Sequence, residues 1–153
     1  MAERTEEIII ESRLGQRTVG SDRIIRFPKG LIGFPEHKRF TLLQIKESSP
    51  FLLLQSLDEA GFGLVVADPF AYLKAYEVNV SDSEQRLLMA ANAADLLILV
   101  TVTIPKSRPQ DTVLNLSGPI CINVVARIGL QIPQIDPRYP SHHRLGPDEG
   151  GQV

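Results

Sequence analysis

Short runs of aliphatic and β-branched residues, each closed by Gly, Pro, Asn or Asp, recur along this chain from its first apolar cluster to about position 133. Runs of roughly four to eight such residues between turn formers read as strands. The pattern predicts strands over 7–13, 17–20 and 23–27, with Leu14-Gly15-Gln16 turning the first pair. Further strands fall over 40–45, 51–57 and 62–67, and Asp58-Glu59-Ala60-Gly61 reads as a hairpin turn. After Asp68-Pro69 come 76–80, 94–103, 111–115, 120–125 and 130–133. The stretch 96–104 is nearly all apolar yet rich in β-branched residues, which suits a central strand covered on both faces.

One helix stands out. Ser81 followed by Glu84 forms a capping-box pattern, in which each side chain satisfies a backbone N–H that the first helical turn leaves free. It predicts a helix over 82–91 that presents Leu87, Leu88 and Ala91 to the core, and a shorter turn follows Pro69. Many strands with few helices favour a closed sheet, because closure removes edges that would pair with other chains. The expected fold is mainly β: a small antiparallel β-barrel-like domain over residues 1–135 with one or two short helices. Residues 136–153 lack apolar periodicity and are expected to form a mobile C-terminal tail.

Composition and charge narrow the function. At 153 residues the chain is long enough for one core, and its 43% hydrophobic and 22% charged content is ordinary for a globular protein. The polar, partly acidic opening is unlike a secretory signal, and no apolar stretch approaches the ~18 residues of a membrane span, so a cytoplasmic location is expected. A net charge of −2 argues against bulk nucleic-acid binding. The acidity is uneven: residues 58–95 hold seven of the eighteen acidic side chains and two basic ones. That stretch is either a solvated face or a docking surface for a basic partner.

No constellation of catalytic groups emerges. Cys121 sits in the apolar run Pro119-Ile120-Cys121-Ile122, the setting of a buried thiol rather than a nucleophile. His142-His143 has no further ligand at metal spacing, and His37, in the charged stretch Glu36-His37-Lys38-Arg39, is expected at the surface. Neither a P-loop, a dinucleotide fingerprint nor a nucleophile elbow is present. The expectation is a non-enzymatic protein without metal or cofactor.

Four collinear segments carry a resemblance. Phe27-Pro28-Lys29-Gly30-Leu31-Ile32-Gly33-Phe34, followed by a charged stretch and Phe40, resembles the F-x-x-G-[IL]-x-G-F turn of the FliW family of bacterial flagellar assembly factors. Ser49-Pro50-Phe51 through Leu57, Val65-Val66-Ala67-Asp68-Pro69-Phe70 leading to Tyr76-Glu77-Val78, and Asn115-Leu116-Ser117-Gly118-Pro119-Ile120 through Asn123, then Gly129-Leu130-Gln131, follow in family order. The proline-rich tail and Lys106-Ser107-Arg108-Pro109-Gln110 depart from the pattern.

The resemblance implies a β-barrel-like regulator that binds two partners, the translational repressor CsrA and flagellin. Bound to CsrA, it would relieve repression of flagellin mRNA, and accumulating flagellin would draw it away. An RNA-binding repressor displays basic surface, so Asp68 and Glu77 in the acidic stretch become candidate docking residues. Flagellin termini are helical with apolar faces, which makes Leu31, Ile32, Phe34, Phe70 and Tyr72 candidate anchors. Neither direct nucleic-acid binding nor membrane association is implied. Two other readings of a small β-barrel remain: binding of single-stranded nucleic acid through an aromatic-lined basic groove, or of a small molecule in an apolar interior.

Overall fold

A computed structural model describes residues 5–145. Among the described residues are eleven strands and one short α-helix, in the order β1 (Glu7–Ser12), β2 (Gly15–Gly20), β3 (Ile25–Arg26), β4 (Arg39–Gln44), β5 (Leu52–Ser56), β6 (Gly63–Ala67), α1 (Asp82–Leu87), β7 (Leu97–Thr103), β8 (Val113–Leu114), β9 (Ile120–Asn123), β10 (Ile128–Gln131) and β11 (His143–Arg144). Hydrogen bonding runs β7-β6-β5-β4-β3-β10-β9, and β9 returns to β7 through Leu97–Ile122, Ile98–Cys121 and Leu99–Ile120. The ring is a seven-stranded barrel. The pattern predicts an antiparallel one, but β3 and β10 pair in parallel through Arg26 and Ile128, so the barrel is mixed.

Alternation along the strands separates inside from outside. Ile25, Phe40, Leu54, Val66, Leu99, Ile120 and Ile122 meet within the barrel, where Phe27 and Phe40 pack edge to face at 5.1 Å. β10 contributes no inward side chain at its middle position. A Cβ on Gly129 would lie 2.4 Å from the Phe27 ring, so only glycine leaves the space that this ring fills. The intervening strand positions point outward and nucleate two further apolar clusters. Ala67, Val100, Val102, Leu114 and Leu116 gather with Tyr76 and Tyr139, while Cys121, Ile128 and Leu130 gather with Leu88, Leu96 and Ile132. The long connection from β6 to β7 and the chain after β10 therefore form an outer layer on the barrel.

That layer departs from the sequence pattern in three places. Residues 76–80 alternate buried and exposed as a strand does, yet among the described residues none pairs with another strand through a backbone group of theirs. α1 starts as expected, with Ser81 Oγ accepting from Glu84 N and Glu84 Oε1 accepting from Ser81 N, but ends at Leu87 rather than at Ala91. Met89 takes a left-handed conformation (φ 55°), and Met89 N and Ala90 N donate back to Arg86 O and Gln85 O. These two bonds close a Schellman turn, which usually carries glycine at that position. Ala91 is left exposed.

The segment 136–145, expected as a mobile tail, is instead packed; residues 146–153 lie outside the described ones. β11 pairs with β8, and Tyr139 is buried edge to face on Tyr76 at 4.7 Å. Its hydroxyl donates to Ala75 O and accepts from Glu77 N. One buried aromatic ring with both hydroxyl functions satisfied outweighs the polar composition around it.

The first two strands form a separate ribbon of six antiparallel pairs. Arg13 ties it to the barrel, donating from its backbone to Gln55 Oε1 and from Nη1 to Gly63 O. Among the described residues no helix is long and apolar enough to cross a membrane.

Three consequences are measurable. Gly129→Ala should lower unfolding stability by ~1–3 kcal/mol through overpacking against Phe27, while Gly61→Ala, with open space around its Cα, should leave it within about 0.5 kcal/mol. Denaturant titration of both variants distinguishes the sites. Tyr139→Ala should cost ~3 kcal/mol or more in the same assay, because it empties a buried ring site and orphans Glu77 N. Burial pushes the Cys121 thiol up to about 12, with the Glu84 charge adding to it. The native protein should thus resist a thiol-specific reagent at pH 8 to 9, and react at the rate at which it unfolds.

Candidate partner-binding surfaces

The Gly-Pro turn between β3 and β4 is built around two left-handed glycines, Gly30 (φ 66°) and Gly33 (φ 86°). A Cβ on Gly30 would fall 2.6 Å from the Pro35 backbone, so the turn closes only with glycine there. Leu31 and Phe34 exchange backbone hydrogen bonds across it. Leu31, a candidate anchor, is 3% exposed and fills the barrel core, so it offers nothing to a partner. Ile32 and Phe34 are exposed at 55% and 40%. Phe34 packs on Phe62 at 4.6 Å, and Gln131 Oε1 accepts from Ile32 N.

His37, expected at the surface, is 5% exposed. Its ring stacks on Phe62 at 4.3 Å, Nδ1 lies 3.1 Å from Ser56 Oγ, and Nε2 lies 3.7 Å from both the Glu36 and the Glu59 carboxylates. The charged neighbours in sequence hide an aromatic pocket that only the fold assembles. Asp58 locks this end of the barrel by accepting from Lys38 N and Arg39 N and pairing with the Arg39 guanidinium at 3.3 Å. Burial works to raise its carboxyl, but those bonds outweigh it and hold the group below the ordinary aspartate range.

Asp68, Phe70 and Tyr72 stand at the other end of β6. Phe34 contacts Phe62, just before that strand, while Asp68 follows it, so the two sets of candidates are separated by the strand's length of roughly 20 Å. They cannot form one small site. Asp68 Oδ1 accepts from Phe70 N and caps the short 3₁₀ turn Pro69–Ala71. Burial raises the Tyr72 hydroxyl above its usual range, and the Asp68 charge adds to that. Phe70 leans on Tyr76 at 5.9 Å, and Tyr76 in turn on Tyr139. Glu77 follows on this ridge, largely exposed, with Arg138 at 3.9 Å. Asp68, Phe70, Tyr72 and Glu77 thus share the outer layer, whereas Ile32 and Phe34 do not.

Several exposed apolar residues escape the sequence reading. Asn123 donates to Leu88 O and Met89 O and accepts from Val125 N and Ala126 N, which sets the exposed Met89 beside the turn that exposes Val124 and Val125. Ile135 is 99% exposed. An aliphatic residue between Pro133 and Pro137 in an otherwise polar stretch was the available signal for it. Among the described residues no three His, Cys, Asp or Glu side chains gather as a metal site would require.

Comparison with known proteins agrees with this architecture. The FliW protein family model matches residues 8–145. A flagellar assembly factor FliW from Nitratidesulfovibrio vulgaris is 51% identical over 146 residues, covering 95% of this chain and 84% of the relative. One from Desulfovibrio desulfuricans is 43% identical over 155 residues, covering 98% and 93%. A crystal structure of the flagellar assembly factor FliW superimposes with a TM-score of 0.83 at 34% identity, covering 93% of this chain and 98% of that one. With the signature turn, the closed barrel and the outer layer all inside the matched span, the chain belongs to the FliW family of flagellar assembly factors.

Proposed function

We propose that this chain acts in flagellum assembly as a non-enzymatic regulator that binds a CsrA-type RNA-binding repressor and flagellin, holding the first until the second displaces it. The family match over residues 8–145 carries the reading. The position of most of the acidic stretch 58–95 supports it: Asp58 and Glu59 stand at the far end of β6, but residues 68–95 lie in the outer layer, where carboxylates meet solvent and a basic partner can approach. Of these, Asp68, Glu77, Asp82 and Asp95 are exposed. Surface charge of this kind steers encounter and adds less to affinity.

The other two readings fit less well. The barrel interior is filled by Phe27, Phe40 and the aliphatic residues around them, so it offers a small molecule no lumen. Exposed aromatic residues lie at both ends of β6 rather than along one groove, unlike a stacking platform for single-stranded nucleic acid.

Charge removal should separate the two partners. Asp68→Asn keeps the oxygen that caps Phe70 N, and Glu77→Gln changes an exposed side chain, so the double variant should fold normally. Association with the repressor at low salt should slow several-fold and lose part of its salt dependence, because exposed charges are screened over about 10 Å at 0.1 M ionic strength. Flagellin association should change less. Stopped-flow kinetics with each partner at two ionic strengths makes the comparison, and repressor kinetics indifferent to both salt and substitution would move its docking site off the acidic layer.

A further inference from the structure

Where β3 begins and the β9–β10 turn lies, the end of the barrel holds a recess of about 350 Å³. It is distinct from the interior, which Phe40, Leu54 and Ile120 occupy with no exposed surface. Its apolar side comes from Ile25, the half-buried Leu42 and Val124, which is 57% exposed. An aliphatic group seated there would cover surface that the fold leaves in water.

Its polar side comes from Arg23 and Arg127. Among the described residues neither guanidinium pairs with a carboxylate, and Arg127 Nη1 donates to Ser21 O at 3.3 Å. Asp22, the acidic residue of the lining, places its Oδ1 2.6 Å from where a Cβ on Gly20 would stand, so its carboxylate is turned back over the end of β2. Two guanidinium groups against one carboxylate leave the recess with a charge of +1. Both arginines are held in place. Thr41 Oγ1 donates to Arg23 O at 2.9 Å, and Arg127 sits in a left-handed conformation (φ 60°) that glycine or asparagine adopts at less cost.

We infer that this recess binds a short aliphatic carboxylic acid as its anion, with the carboxylate on Arg23 and Arg127 and the tail on Ile25, Leu42 and Val124. Guanidinium groups grip carboxylates through paired N–H donors, and the attraction grows where an apolar wall excludes water. A monoanion neutralises the recess. Inorganic phosphate, close to a dianion at neutral pH, would overshoot that charge and leave the apolar side bare. The full interior below limits the tail to a few carbons. No residue of the stretch 68–95 lines the recess, so the inference stands apart from the function proposed above.

The probe is isocaproate, titrated at neutral pH and constant ionic strength into the isotope-labelled full-length protein, with the amide resonances of residues 22–27 and 122–128 as reporters. It should bind saturably and shift those resonances. The corresponding alcohol keeps the tail without the charge, and acetate keeps the charge without the tail; each should bind roughly tenfold more weakly. Arg23→Gln should weaken isocaproate binding roughly fivefold and Arg127→Asn roughly tenfold. Arg23 makes no side-chain hydrogen bond among the described residues, and asparagine tolerates the left-handed backbone, so resonances away from the recess should stay as in the wild type. Absence of saturable shifts overturns the proposal, as does an alcohol or an acetate that binds as well as isocaproate. Binding that neither substitution weakens overturns it too, because the anion would then lie elsewhere. Tighter binding of inorganic phosphate than of isocaproate likewise overturns it, by making the recess a plain anion site.

Discussion

Closing seven strands with a parallel seam requires two distant stretches of chain to approach more closely than side chains usually allow. Phe27, just past β3, occupies the space that a side chain on Gly129 in β10 would need, so the middle of the seam is filled by one ring supplied from one side. Around that ring sit Phe40 and the inward residues of the other strands. Were the seam open, β9 could still pair with β10 and β7, but the interior would face water along a whole side. The Gly-Pro turn hangs directly from this arrangement, since Leu31 reaches back into the same core and Gln131 at the end of β10 fixes Ile32.

Because the interior is full, whatever the protein binds must meet its outside. The outward-facing positions of β6, β7, β9 and β10 are themselves apolar, and they recruit the long β6–β7 connection and the chain after β10 as a cover. This division places residues 68–95, which follow β6, the last barrel strand within the acidic stretch, at the surface. On the function proposed above, stability and recognition rest on different residues: Phe27, Phe40 and Gly129 for the former, Glu77 and its neighbours for the latter. Asp68 would serve both, since its carboxylate caps a turn while adding to the surface charge.

What the sequence discloses follows the range of the interactions involved. The start of α1 is legible because Ser81 and Glu84 act on backbone groups three residues away. Its end is not, since nothing in the pattern marks Met89 for a conformation normally left to glycine. Most strands are legible from alternation, but the parallel pairing of β3 with β10 joins residues about a hundred positions apart and leaves no local trace. The docking of Tyr139 has the same character, as one aromatic in a polar stretch gives no period to read. The Gly-Pro turn itself is legible in the sequence, while which of its residues face out depends on packing: Leu31 goes in, Ile32 and Phe34 stay out. His37 is missed because its hydrophobic partner, Phe62, comes from another strand connection.

The parallel seam also dictates an order of events. On the ribosome, β3 emerges roughly a hundred residues before the strand it must join, whereas β7 waits only about twenty residues for β9. Until then β3 to β7 can form at most an open sheet with both margins unpaired and Phe27 on one of them, the arrangement most prone to pairing with another chain. Its neighbour contacts are local and form early, whereas closure has a long loop to overcome. A nascent chain of this protein therefore passes through a stage, ended only by synthesis of β9 and β10, in which its greatest need is itself to be protected from association.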